Sequence, residues 1–219
     1  MSAQIILALD VDSIKKAKYL VHKLYPKVKI FKVGLQLFTL AGPEIIKFIH
    51  KQGAEVFLDL KLLDIPNTVA HAVRQAVRLK VKMFTLHVSG GEEMLSAAVR
   101  AVKEETRKTK MKSPLLIGVT VLTSKETNPG QVLKLAKIAK SSGLNGVVCS
   151  VREASLVRKK MGARFVIVTP GIRPKSTKSD DQKRVATAKE AIKAGSNFLV
   201  VGRPILEAKN PLKAAEELV

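Results

Sequence analysis

One cysteine cannot form an intrachain disulfide, so Cys149 excludes a cross-linked secreted scaffold and suits a reducing compartment, the cytoplasm being the expected location. Tryptophan is absent and aromatic residues make up only 4%, which leaves little for nucleic-acid bases to stack on. No apolar run approaches the roughly 18 residues of a membrane span, and the chain enters a strand within its first residues, with no signal or transit segment expected. Neither Gly-x-Gly-x-x-Gly after the first strand nor Gly-x-x-x-x-Gly-Lys occurs, which removes the common nucleotide-fold signatures. His-x-His, His-Glu-x-x-His and Gly-x-Ser-x-Gly are missing too, so neither a dedicated zinc site nor a serine triad is expected. Acid is also scarce: 18 Asp and Glu against 39 Lys and Arg give a net charge of +21. That excess fits either a lysine-rich solvated surface or attraction of polyanions. The lysines are spread over all the amphipathic segments, which counts against a dedicated nucleic-acid face.

What is present is an ordinary globular balance, 46% hydrophobic and 26% charged in 219 residues, enough for one large domain. Short apolar runs with strand character fall at 5–9, 28–33, 55–60, 83–87, 115–120, 146–150, 164–168 and 198–201. Segments of helical period fill the intervals at 14–25, 43–52, 68–79, 92–106, 131–141, 153–160 and 187–194, and a last one follows Pro211. Ser13, Gly42 and Asn128 stand where helices are expected to begin, and Gly53, Gly143 and Gly195 where they are expected to end. Eight strands alternating with eight helices predict a single (β/α)8 TIM barrel over residues 1–219. An open doubly wound sheet shares that pattern, because periodicity does not report closure.

The segment Asp59-Leu60-Lys61-Leu62-Leu63-Asp64-Ile65-Pro66-Asn67-Thr68 carries the most information. Along a strand, Phe57, Asp59 and Lys61 share one face and Val56, Leu58 and Leu60 the other. The apolar face can pack on helices, which turns the charges inward, where they need one another or a polar ligand. An ammonium between two carboxylates stays protonated and can donate a proton. Other strands also end in polar residues: Asp10, Lys32 before Gly34, His87, Thr120 and Thr123, and the turn Gly202-Arg203-Pro204. A glycine turn, a helix start and a guanidinium favour a phosphate. The basic stretch 171–184, with Arg173, Gln182 and Arg184, has the length of a functional loop and suits a lid over an anion. His22, His50 and His71 read as helix residues, His87 as a core histidine bonded to backbone, and Cys149 as buried.

These residues resemble the orotidine 5'-phosphate decarboxylase family over the whole chain. The resemblance rests on the Asp59 to Thr68 segment, Asp10, Lys32-Val33-Gly34, Val119-Thr120-Val121-Leu122-Thr123, Pro170-Gly171-Ile172-Arg173-Pro174, Asp180-Asp181-Gln182 and Val201-Gly202-Arg203-Pro204. Ser179 departs from it, standing where that family usually has glycine. The resemblance implies conversion of orotidine 5'-monophosphate to uridine 5'-monophosphate without metal or organic cofactor. It implies that Lys61 protonates C6, with Asp59 against the substrate carboxylate. Lys32 would hold the array and touch the ribose, as would Asp10. Thr123 would meet the pyrimidine amide, and Arg173, Gln182, Gly202 and Arg203 the phosphate and lid. It further implies a homodimer in which Asp64 and Thr68 complete the partner's site. The nearest rival is a Mg-dependent sugar-phosphate decarboxylase or synthase that shares Asp-x-Lys-x-x-Asp; those proteins carry an acid on strand two, where this chain has Lys32. A nucleic-acid-binding protein is the rival from another class.

Overall fold

Alternation along the strands decides where each layer of the molecule goes. The computed structural model describes residues 3–174 and 185–218. Its eight strands are β1 Gln4–Ala8, β2 Ile30–Gly34, β3 Glu55–Leu62, β4 Met83–His87, β5 Leu115–Val119, β6 Gly146–Val148, β7 Val166–Thr169 and β8 Phe198–Val201. All pair in parallel in chain order, and β8 returns to β1, so the barrel is closed and the doubly wound alternative is set aside. Around it run α1 Ile14–Leu24, α2 Leu35–Ala41, α3 Glu44–Lys51, α4 Pro66–Arg78, α5 Gly91–Thr109, α6 Pro129–Ser141, α7 Val151–Met161, α8 Ala188–Lys193, α9 Arg203–Leu206 and α10 Pro211–Glu216.

Two apolar bodies result from the period of two. Inside the barrel, Ile6, Ala8, Ile30, Phe57, Met83, Ile117, Val168 and Val200 form a plug. Between barrel and helices lie the opposite faces of the same strands, including Leu7, Phe31, Val33, Val56, Leu58 and Phe84, against helix stripes such as Ile45, Ile46 and Ile49 of α3. Each fully buried Phe, Leu or Ile contributes about 1.5–3 kcal/mol relative to exposure, so these layers hold the fold. Along several strands the inward positions change character: Ile6, Ala8, then Asp10; Ile30, then Lys32; Phe57, then Asp59 and Lys61. The plug is thus the floor beneath the chemistry.

Helix α2 was not anticipated, whereas the short α9 opens at the Gly202-Arg203 turn as expected. Helix α2 follows β2 directly, with Gly34 at its N-cap and no side-chain cap, so its start carries none of the usual polar signal. Gly42, expected to open a helix, instead closes α2 at φ +56°, and Pro43 takes the N-cap position of α3. Ser13 and Asn128 do cap α1 and α6 through their side chains. At the N-terminal pole two asparagines fasten strands to one another. Asn145 Oδ1 accepts the Leu116 N–H at 2.8 Å, and Asn197 Oδ1 accepts the Ile167 N–H at 2.8 Å and Arg158 Nη2 at 2.6 Å.

Gly146 is required by space. A Cβ there would stand 2.1 Å from the Val166 carbonyl oxygen of the neighbouring strand. Gly146→Ala is therefore expected to cost about 1–3 kcal/mol or more through forced strand displacement, measured as a lower urea midpoint at unchanged m-value. An unchanged midpoint would show that β6 and β7 separate freely.

Candidate active site

The C-terminal mouth of the barrel holds a cavity of about 520 Å3. Its polar lining includes Asp10, Lys32, Asp59, Lys61, Thr123, Arg173 and Arg203, with the backbone of Gly202. The site residues read from the ends of strands one, two, three, five, seven and eight therefore converge. Gln182, like Ser179, Asp180, Asp181 and Arg184, lies outside the described residues.

At the centre is an alternating row of charges. Lys32 Nζ donates to Asp10 Oδ1 at 2.8 Å and stands 3.6 Å from Asp59 Oδ2, which accepts Lys61 Nζ at 2.8 Å. Lys32 and Asp59 are buried, Lys61 is partly exposed toward the cavity, and Asp10 is open at its rim. Two cations and two anions balance, which is what allows ions to be held at this depth. Burial pushes the Asp59 carboxyl up, but the charges of Lys32 and Lys61, with hydrogen bonds from Lys61 and Thr85, outweigh it and hold the pKa below the usual carboxylate value.

Thr85 is the residue that strand-end reading missed. Its hydroxyl donates to Asp59 Oδ1 at 2.9 Å and accepts the Lys61 backbone N–H at 2.9 Å. The need for it comes from an irregularity in β3. Leu58 is opposite Phe84 and Leu62 opposite Leu86, so four steps of β3 match two of β4. Within that bulge Lys61 has φ +51°, a left-handed conformation that costs a lysine roughly 1–2 kcal/mol, and Thr85 secures the displaced backbone. The inward-facing period of β4 (Met83, Thr85, His87) is the signal that could have found it. Gly34 completes the packing, since a Cβ there would come within 2.9 Å of Lys32 Nζ and 3.3 Å of Asp10 Oδ1.

Three expectations need correction or placement. Lys61 does not lie between two carboxylates of its own chain. Asp64 is exposed, away from the cavity, and its Oδ1 accepts the Ile65 N–H at 2.7 Å. Thr68, in the first turn of α4, is also exposed and outside the cavity. His87 is half-buried at the end of β4, and no described residue hydrogen-bonds its ring; burial first, then the positive charge of Lys61, lowers its pKa. The backbone-bonded histidine is His50, whose ring lies 3.2 Å from the carbonyls of both Ala54 and Leu79.

Beyond β7, Ile172 bridges Ala186, and Arg173 N–H donates to the Ala186 carbonyl at 2.9 Å, joining the two ends of the basic stretch. Arg173 is buried and lines the cavity. Among the described residues no three His, Cys, Asp or Glu side chains gather where a metal ion could be held, and no helix is long and apolar enough to cross a membrane. What the cavity offers is an ammonium beside a carboxylate, with guanidinium groups across the opening.

The sequence model of the Orotidine 5'-phosphate decarboxylase / HUMPS family matches residues 3–218. The orotidine 5'-phosphate decarboxylase of Syntrophotalea carbinolica is 47% identical over 227 residues, covering 99% of this chain and 93% of that one. The Vibrio cholerae enzyme of the same name is 46% identical over 226 residues, covering 98% and 96%. The crystal structure of orotidine 5'-phosphate decarboxylase from Lactobacillus acidophilus superposes with a TM-score of 0.86 at 37% identity, covering 99% of this chain and 97% of that chain.

Because folding lowers the Asp59 pKa, the native state stays deprotonated where the unfolded chain begins to take up a proton, near pH 4. Its ion pairs stabilise fully above that pH, and their contribution is lost as pH falls through the lower native value. The parent protein is expected to lose stability more steeply below about pH 4 than Asp59→Asn, in urea midpoints followed by circular dichroism. Parallel acid limbs would contradict the ion-pair account.

Proposed function

The chain belongs to the orotidine 5'-phosphate decarboxylase / HUMPS family, and from that premise we propose that it converts orotidine 5'-monophosphate to uridine 5'-monophosphate and carbon dioxide, the last step of de novo pyrimidine synthesis. The observation that carries this reading is the Asp59 carboxylate held between the Lys32 and Lys61 ammonium groups inside the barrel mouth.

The difficulty of the reaction is electronic. When the bond from C6 to the carboxylate carbon breaks, the electron pair stays on C6 in the ring plane, with no π-system to receive it. The enzyme must then supply stabilisation toward the top of the roughly 8–23 kcal/mol range. An ammonium fixed beside C6 provides it electrostatically, and a prearranged charge is worth most where water is excluded. In our reading Lys61 gives its proton to C6 as carbon dioxide leaves, becomes a neutral amine and regains a proton from solvent. Asp59 sits against the substrate carboxylate and keeps Lys61 aimed. Lys32 and Asp10 hold the row and meet the ribose, Thr123 the pyrimidine amide. Arg173, Gln182, Gly202 and Arg203 take the phosphate, whose binding energy serves to order the charges.

A Mg-dependent sugar-phosphate reaction fits less well. Lys32, 3.6 Å from Asp59, would repel a divalent cation from that carboxylate. We place the protein in the cytoplasm, in keeping with the single buried thiol of Cys149.

The active unit is proposed to be a homodimer with shared sites. Asp64 and Thr68 face outward on one chain, beside exposed aliphatic side chains Leu63 and Ile65, and Leu35 is exposed at the end of the neighbouring strand. Outward carboxylates framed by apolar surface suit a two-fold contact that presents each to the other chain's cavity.

With orotidine 5'-monophosphate in an ultraviolet assay, rapid turnover indifferent to EDTA is expected. Lys61→Ala should abolish turnover, a loss beyond the ~10²–10³-fold typical of removing one electrostatic donor, while uridine 5'-monophosphate binding stays measurable. Normal turnover by Lys61→Ala would sink the mechanism, and no turnover by folded parent protein would sink the reaction. Mixing inactive Lys61→Ala and Asp64→Ala proteins should restore about a quarter of parental activity, since half the dimers are mixed and each has one intact site. Failure of the mixture to recover activity, with subunit exchange verified, would rule out shared sites.

A further inference from the structure

The opposite pole of the barrel carries a second concavity that the proposed reaction does not use. It has a volume of about 710 Å3 and lies where β3, β4 and β5 begin. Glu55 and Lys61 are six residue steps apart along β3, about 20 Å at roughly 3.3 Å per residue.

Its chemistry is cationic. Lys80, Lys82, Lys110 and Lys112 line it, with Glu55 as the one acid. Lys82 is bonded to that glutamate. No described residue pairs with Lys80, Lys110 or Lys112. Lys80 follows the last turn of α4 and Lys110 caps α5, so part of this charge offsets two helix C-termini of about half a negative charge each. Four lysines against one glutamate and those two half-charges still leave about +2 on one concave wall. Both lysines also hold left-handed backbone, at φ +56° and +54°, where glycine is the relaxed choice. The remaining wall is mixed, with the hydroxyls of Thr109 and Ser113 beside apolar Val81, Met111 and Leu115. A cavity of this size accommodates a molecule as large as a nucleotide.

We propose that this cavity binds a nucleoside polyphosphate, with its phosphate chain across Lys80, Lys110 and Lys112 and its base against Met111 and Leu115. The ligand binds alongside substrate, because the two sites occupy opposite poles.

The test is calorimetric titration of the full chain with magnesium-free ATP and, separately, with sodium tripolyphosphate. Saturable binding is expected, tighter for ATP. The triple variant Lys80→Gln, Lys110→Gln, Lys112→Gln should weaken it by about tenfold or more, while Lys15→Gln, Lys193→Gln, Lys209→Gln, an equal loss of exposed charge elsewhere, should change it less than about twofold. Arg203→Ala, at the other pole, should leave ATP affinity unchanged. The double variant Lys80→Gly, Lys110→Gly relaxes the backbone, so it should fold at least as stably as the parent and still lose affinity. Absence of saturable binding, equal weakening by the control triple, or loss of binding in Arg203→Ala would each overturn the site. Equal affinity for tripolyphosphate would overturn the assignment of a nucleoside.

Discussion

The carboxylate of Asp59, shared between two ammonium groups, is the interaction on which the rest of the structure depends. Three ionic groups cannot be held this close inside a protein unless each is positioned by something rigid. Phe57 and the other inward apolar side chains form the floor beneath them. Thr85 fixes the far oxygen of the carboxylate and the backbone of Lys61. Gly34 leaves room for the Lys32 ammonium where any side chain would intrude. Direct pairing of β1, β2 and β3 builds the row of charge, and closing the sheet through β8 brings Arg173 and Arg203 round the same opening.

Much of this was legible in the sequence because it follows from period two. Met83–His87 and Phe198–Val201 form strands at the expected bounds, and the inward-facing of Asp59 and Lys61 follows from the apolar character of Val56, Leu58 and Leu60. Closure was not legible, since a parallel strand between helices reads the same in a barrel and an open sheet. Helix α2 was missed because glycine, not a polar cap, begins it. Thr85 was missed for a different reason. It sits mid-strand and acts only because β3 bulges opposite it, and a bulge leaves no mark in the hydrophobic pattern. The direction of Asp64 was hidden likewise, because side chains beyond a strand end no longer obey alternation.

The charge excess also looks different once placed on the fold. Some lysines are structural or belong to the proposed chemistry: Lys32 and Lys61 in the row, Lys82 on Glu55, Lys18 over the Phe48 ring at 5.2 Å. Many others, such as Lys15 and Lys209, are solvated and exposed. At the N-terminal pole Lys82 is joined by the exposed Lys80, Lys110 and Lys112, so that four lysines share one concavity.

The left-handed backbone of Lys61 has an evolutionary corollary. At that position the fold by itself favours glycine, which would relieve the strain that lysine imposes. The proposed chemistry requires an ammonium there. On that reading, a costly side chain is kept in place both by the reaction and by the need to balance the buried Asp59 carboxylate. A lineage released from the need for turnover could not take glycine there alone, because the buried Asp59 carboxylate would lose an ammonium partner. The two positions are tied and would have to change together.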